Sequence, residues 1–195
     1  MAKIPTVDSV VAEMKRLKHN VFEDDWDLNI VGLRTMPGVV NMFDDYICVF
    51  YKLQEVWQFH CWHATTDPGF YWLGQPGVKA GTAILQPGQY KTCWGLGIHS
   101  GDYEALTQST GNGGFRVWRD NNLDRQLDYT GPAYLDVTGL NLHHAGVWST
   151  QVDKWSAACQ VIQRLGDWEE ALRLFKKQIS AGKGTKFSYT LMEWR

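Results

Sequence analysis

The sequence lacks several features that mark common classes of protein. No run approaches the roughly 20 apolar residues that a membrane-spanning helix needs, so we expect no membrane span. There is also no excess of basic charge, since 19 Lys and Arg stand against 21 Asp and Glu for a formal net charge of −2. Without a basic stripe interleaved with aromatic residues, we do not expect nucleic acid to be a partner.

Paired cysteines and targeting signals are missing too. The four cysteines, Cys48, Cys61, Cys93 and Cys159, are scattered, and no two form a CxxC motif. The first 20 residues have neither the apolar core nor the small-residue cleavage site of a signal peptide. We therefore expect synthesis in the reducing cytoplasm, four free thiols, and delivery by another route for any action on a cell wall.

Hydrophobic periodicity divides the chain into two parts. Apolar residues recur at helical spacing over residues 8–20, where Asp8 or Ser9 would be the N-cap, and an acidic stretch follows. We predict an N-terminal helix and acidic linker over residues 1–28, of which residues 1–24 should be dispensable for chemistry. The rest of the chain, residues 29–195, is predicted to form one catalytic domain.

Short β-rich runs follow, separated by clusters of Gly, Pro, Asn and Asp. They predict a mainly β fold, either a sandwich or a barrel. A C-terminal helix is predicted over Trp168–Ser180 with Asp167 as its cap, and then a last strand over Phe187–Trp194. The other predicted strands are Ile30–Arg34, Tyr46–Leu53, Val56–His63, Gly81–Leu85, Trp94–His99, Gly114–Arg119 and Thr138–His143.

Two segments near the end carry candidate chemistry. Leucines alternate into His143, which places this histidine near the end of a strand. The segment Ser156-Ala157-Ala158-Cys159 has the composition of a tight turn that exposes a thiol. A thiol and an imidazole brought together form the minimal nucleophile and base for acyl transfer. A neighbouring imidazolium would also lower the pKa of the Cys159 thiol and make it unusually reactive.

These segments resemble the catalytic domain of the L,D-transpeptidases, which act on bacterial cell-wall peptide. Leu142-His143 is similar to the start of the family's apolar-His-Gly segment. The Ser156–Cys159 segment is similar to its Ser-x-Gly-Cys segment, with the cysteine sixteen residues after the histidine. Upstream, Thr66-Asp67-Pro68-Gly69-Phe70-Tyr71 is similar to the family's Thr-Pro-x-Gly-x-Phe/Tyr element. The likeness covers about residues 45–162.

The resemblance implies a role for each matching residue. Cys159 would attack a peptide carbonyl while His143 removes its proton, and the backbone carbonyl of His144 would orient the imidazole. Ser156 would hold the turn, and the amides of Ala158 and Cys159 would bind the oxyanion. The implied activity is transfer or hydrolysis of a peptidoglycan stem peptide through a thioester, without a cofactor. A lytic protein, such as a phage endolysin or an injected effector, fits the missing signal peptide.

The candidate substrate-binding residues are Thr66, His99 and Trp155. The chain departs from the family pattern at Ala158, where a glycine is usual and a positive φ would be strained. It also has His144 for the glycine after the histidine, and Val161 for a polar residue two positions after the cysteine. These departures put the substrate and the activity in question.

Two other functions stay open. A zinc peptidase or amidase would use His60, Cys61 and His63 with His99 and Asp102 as further ligands, although no HExxH or CxxC motif accompanies them. A cell-wall-binding protein, such as a virion protein, would keep the fold without activity. The ten Trp and eight Tyr residues fit either core packing or a platform for sugar rings.

Overall fold

The computed structural model describes residues 3–109, 114–136 and 139–195. Eight strands form a closed barrel, beside which lie a three-stranded sheet and three helices. The helices are α1 (Val7–Arg16), α2 (Phe70–Gly74) and α3 (Leu165–Ser180). The small sheet contains β4 (Thr82–Leu85), β7 (Phe115–Asp120) and β8 (Tyr134–Asp136). The barrel strands are β1 (Asn29–Thr35), β2 (Asp45–Leu53), β3 (Val56–Thr65), β5 (Gly88–His99), β6 (Tyr103–Gln108), β9 (Leu142–His144), β10 (Gln160–Ile162) and β11 (Lys186–Trp194).

The barrel confirms the prediction of a mainly β fold with a helix near each end. Around the barrel the strands follow the order β1-β11-β5-β6-β9-β10-β3-β2, and β2 pairs again with β1. Two neighbouring pairs, β1 with β11 and β9 with β10, are parallel. Parallel neighbours need a crossover connection, and for β9 and β10 this connection is residues 145–159. The crossover carries the predicted tight turn.

Helix α1 packs against the barrel. Its Val10 and Met14 are buried in a second core cluster with residues of β1, β2 and β11. The helix begins after Thr6, whose side chain forms a capping box with Ser9, so the cap lies two or three residues before the predicted one. Because α1 contributes to this core, it is part of the folded unit, while its dispensability for chemistry stays a prediction.

Helix α3 begins earlier than predicted. Arg164 is its N-cap without a side-chain hydrogen bond, while Asp167 lies in the first turn, where a carboxylate favours the positive end of the helix dipole. Trp168, Ala171 and Phe175 join the main core. The apolar periodicity therefore identified the helix correctly, whereas the single residue chosen as the cap was wrong.

Several short elements were not predicted. Strands β6, β8 and β10 and helix α2 escaped the pattern analysis, because runs of three to six residues carry little periodic signal. The strand predicted over Thr138–His143 corresponds to β9, which begins at Leu142, and Thr138 lies outside the described residues. Within the described parts of the chain, no helix has the length and apolar character required to cross a bilayer.

The prediction of four free thiols is wrong. Cys48 and Cys61 form a disulfide between β2 and β3, whereas Cys93 and Cys159 are free. The register places the two bonded cysteines directly opposite each other, with their Cα atoms 4.1 Å apart. Two residues, Gln54 and Glu55, connect the strands. A two-residue hairpin loop fixes the register, so the predicted strands already contained this signal.

Candidate functional site

The candidate thiol and imidazole lie on neighbouring parallel strands. The register of β9 and β10 pairs His143 with Val161, which places Cys159 across from Asn141. Leu142 enters the main core, and side chains alternate along a strand, so His143 faces the other way. Cys159 shares that outer face as the diagonal neighbour of His143. Two segments 16 residues apart in sequence thus meet, as the motif predicted.

The His143 ring is held in one orientation. Its side chain is 1% exposed, and its Nδ1 lies 2.9 Å from the carbonyl oxygen of His144 and 3.0 Å from the Tyr103 hydroxyl. A carbonyl oxygen only accepts, so Nδ1 carries the proton and Nε2 has the lone pair. Among the described residues, no hydrogen-bond partner reaches the buried Nε2 atom. The contact expected for the His144 carbonyl is therefore present, while its catalytic role stays a prediction.

The thiol of Cys159 is not hydrogen-bonded to His143. Its Sγ atom lies 3.5 Å from the amide nitrogen of Asn141 and 3.6 Å from the carbonyl oxygen of Gly139. The Asn141 N–H donates to sulfur, and the thiol donates to the Gly139 carbonyl. Proton transfer to His143 therefore needs a rotation of the Cys159 side chain away from these two partners.

Both candidate groups are neutral at pH 7. Burial is the main cause that lowers the pKa of His143 to about 3, with a smaller effect of the same sign from the charge of His99. Burial also raises the pKa of Cys159 to about 11, against a smaller opposing effect of the Asn141 N–H. Burial therefore disfavours the expected thiolate–imidazolium pair in the resting protein, because partial removal from water is costly for both ions.

The turn before Cys159 has the features of an oxyanion site. The Ser156 hydroxyl donates to the carbonyl of Cys159 at 2.7 Å, which holds the turn closed as expected. Ala158 has a φ of 155°, in a region that side chains rarely adopt, so the expected strain is present. Within the described part of the chain, the amides of Ala158 and Cys159 donate to no other residue. These two N–H groups are therefore not engaged by another described residue.

A pocket of about 160 Å³ opens beside Cys159. One wall is the strained turn, with Ala157 and Ala158, and the other is built by α2 and the small sheet, with Trp72, Thr82 and Arg119. Leu140 lies in the pocket wall as well and makes it largely apolar. Arg119, whose Nη1 donates to the carbonyl of Gly81 at 2.9 Å, is the only charged residue in the described lining. The sequence analysis did not predict Trp72, Thr82 or Arg119 at this site, because they come from a helix and strands that are distant in sequence from Cys159.

His99 belongs to the same site. Its ring stacks on that of His143 with 4.1 Å between the centroids, and its Nδ1 accepts from the side-chain amide of Asn141 at 3.1 Å. Burial lowers the pKa of His99, and the nearby His144 lowers it further. Tyr103 closes the cluster, and burial raises the pKa of its hydroxyl to about 12. The sequence analysis predicted no role for Tyr103 or Asn141, although Asn141 lies between the two leucines, Leu140 and Leu142, that precede His143.

Trp155 also contacts the candidate base. Its backbone carbonyl faces the His143 ring and acts to raise the pKa of that ring slightly. Its indole packs on Gly146, where a Cβ would approach to 2.9 Å from the ring. The residue is 38% exposed, so part of the indole is open to a ligand.

Thr66 lies away from the pocket. Its hydroxyl donates to a carboxylate oxygen of Asp45 at 2.8 Å and accepts from Arg34 Nε at 3.0 Å. Arg34 is itself buried and forms an ion pair with Asp67 at 3.0 Å. Thr66 is thus buried outside the Cys159 pocket with its hydroxyl bonded to Asp45 and Arg34, and its substrate-binding role stays a prediction.

The residues of the zinc hypothesis are not brought together. Cys61 is in the disulfide, and His60 Nδ1 lies 2.8 Å from a carboxylate oxygen of Glu170 on α3. His63 is exposed and contacts Tyr46 instead. His99 belongs to the cluster around His143. Over the described ranges, no three His, Cys, Asp or Glu side chains are grouped as a metal site would require.

Comparison with known proteins identifies no relative. No protein-family profile matches the chain, and neither a characterised protein nor a solved structure matches it.

Proposed function

We propose that this protein carries out cysteine-dependent acyl transfer or hydrolysis on peptidoglycan stem peptides, through a thioester on Cys159. One observation carries the proposal. The Nε2 lone pair of His143 is buried without a partner on the sheet face that also carries the Cys159 thiol. An unpartnered polar atom in a core is costly, so its presence beside a thiol favours a catalytic base over a packing residue.

The chemistry follows from the positions of these groups. As Sγ attacks the peptide carbonyl carbon, the thiol proton passes to His143 Nε2, and the amides of Ala158 and Cys159 bind the developing oxyanion. The C–N bond then breaks, the amine leaves with the proton from Nε2, and the acyl group remains on sulfur. An amine or a water next attacks the thioester, loses its proton through Nε2, and restores the thiol.

The neutral resting state sets a condition on this reaction. Because an imidazole of pKa about 3 cannot deprotonate a thiol of pKa about 11 in advance, the proton must move as the C–S bond forms. The Asn141 N–H and the two free amides would then stabilise charge that develops only in the transition state.

The substrate class rests on the resemblance. Three segments in the correct order resemble the L,D-transpeptidases, which act on the wall peptide. The pocket beside Cys159 would give such a peptide access to the thiol.

The test is mass spectrometry of purified muropeptides after incubation with the protein. Loss of a residue would identify hydrolysis, and a new peptide cross-link would identify transfer to an amine. Cys159→Ala should abolish product and the acyl-enzyme adduct, whereas the matched control Cys93→Ala should retain both. His143→Ala should slow turnover by about 10²–10⁴-fold, and His144→Ala should do less because only its carbonyl acts. Full turnover by Cys159→Ala would refute the thiol mechanism.

A second candidate function is binding of cell wall without turnover. It is favoured by the contacts of the Cys159 thiol, which bonds to Asn141 and Gly139 and not to His143. In that case the protein would sediment with purified wall while the muropeptide masses stay unchanged.

A further inference from the structure

A second concave surface lies on the other side of the turn that carries Cys159. It is an open groove of about 550 Å³, within the size range of small-molecule sites. Three aromatic residues and three charged ones form it, and we call it the aromatic groove: Phe70, Tyr71, Arg125, Asp153, Lys154 and Trp155.

The walls of the aromatic groove are fixed to each other. One wall is α2 and the other is the segment 153–155 of the crossover. Trp72 Nε1 donates to the carbonyl of Lys154 at 3.0 Å, and the amide of Gly69 donates to the carbonyl of Ser156 at 2.9 Å. Asn41 adds a bridge, since its Oδ1 accepts from the amides of Phe70 at 3.1 Å and Asp153 at 2.7 Å. A groove held in this way needs little reordering when a ligand binds.

Gly69 permits this close approach of the two walls. A Cβ at position 69 would lie 2.2 Å from the carbonyl oxygen of Asp153, so any other residue would push the walls apart. The same contact joins the groove to the active turn, because Asp153 and Cys159 belong to one crossover segment. Trp72, which lines the thiol pocket, donates to the carbonyl of Lys154 in the groove, so the two cavities share this wall.

We propose that the aromatic groove binds sugar rings of the glycan strand to which the stem peptide is attached. The C–H faces of a pyranose stack on aromatic faces, which carry partial negative charge. Its hydroxyls need donors and acceptors around the stack, and the charged side chains of Arg125, Lys154 and Asp153 lie exposed at the rim. The choice of a cell-wall glycan as the ligand rests on the proposed function, which places the protein on peptidoglycan.

The chemistry of the aromatic groove favours a sugar over a highly charged ligand. The rim has two cations and one anion, and both Lys154 and Asp153 already have protein partners. Lys154 Nζ lies 4.4 Å from the Tyr71 ring centroid, and Asp153 accepts from Asn41 at 3.0 Å. This near-balanced rim gives a weak field, and because Lys154 covers one face of the Tyr71 ring, the exposed part of the Trp155 indole is the main surface open to stacking.

The test separates glycan binding from catalysis by using the full-length Cys159→Ala protein. Calorimetric titration with the β-1,4-linked tetramer of N-acetylglucosamine should give saturable binding. Tyr71→Ala and Trp155→Ala should each weaken the affinity by about tenfold or more. Tyr71→Phe should bind normally, since it keeps the ring. The matched control is Trp148→Ala, because Trp148 is 90% exposed in the same crossover but lies outside the groove.

Each outcome decides the inference. Absence of saturable binding, or equal weakening by Trp148→Ala, would overturn it. If thermal melting shows that Tyr71→Ala is unfolded, Trp155→Ala decides alone. Turnover of free stem peptide by the wild type without tetramer binding would refute only the glycan groove. Tetramer binding together with unchanged muropeptides would refute only the proposed reaction.

Discussion

The resting Cys159 thiol should be slow to alkylate near neutral pH, in contrast to most nucleophilic cysteines. With a pKa of about 11, only about 10⁻⁴ of the thiol is ionised at pH 7. An ordinary cysteine of pKa about 8.5 is about 3% ionised, roughly 300 times more. The more basic thiolate is intrinsically more nucleophilic by about tenfold, so the net rate should be about 20–30 times lower than for an exposed cysteine.

His143 should have little influence on this rate. Its pKa of about 3 means that the ring is neutral at pH 7, and a neutral imidazole does not stabilise a thiolate by charge. We therefore expect His143→Ala to change the alkylation rate of the resting protein by less than about threefold, although it should slow catalysis by about 10²–10⁴-fold.

The assay is peptide mapping by mass spectrometry after timed exposure to iodoacetamide between pH 6 and pH 11. A free cysteine in the unfolded protein gives the reference rate. The rate at Cys159 should still be rising above pH 9. Rapid alkylation at pH 7, with an inflection below pH 8 that His143→Ala removes, would refute the reasoning and restore the thiolate–imidazolium pair.

Three further predictions concern stability and covalent structure. Met14→Ala should lower the free energy of unfolding by about 2–5 kcal/mol in urea titrations, because it removes a buried side chain. Lys15→Ala, at an exposed neighbouring position, should have little effect. If Met14→Ala is as stable as the wild type, α1 does not support the core. Thiol counting on the unfolded, unreduced protein should find two free thiols, and four only after reduction, because Cys48 and Cys61 are bonded; four before reduction would exclude the bond. Because the pKa of His143 is lowered in the folded state to about 3, the unfolded chain binds more protons between about pH 3 and pH 6.5. Relative to His143→Gln, the wild type should thus lose about 2–3 kcal/mol of stability from pH 6.5 to 4.5 in urea unfolding; the same pH dependence in both proteins would contradict burial of the ring.

The sequence alone determined the class of fold and the positions of the candidate nucleophile and base. Alternating apolar runs between turn residues identified most long strands, because the period of two reports directly on a half-buried sheet. The tight turn at Ser156–Cys159 and the strand end at His143 were also predicted from the residues, whereas the contact between the His143 ring and the following carbonyl was implied by the resemblance to the L,D-transpeptidases. Those features depend on residues that are close in sequence.

The tertiary structure alone decided which walls face the thiol and how the site is charged. Trp72 and Arg119 reach the Cys159 pocket from α2 and β7, and only the closure of the barrel and the position of the small sheet bring them there. Protonation depends on burial, which is a property of the whole fold. Residue types alone predicted an ion pair, but removal from water shifted both pKa values toward the neutral forms.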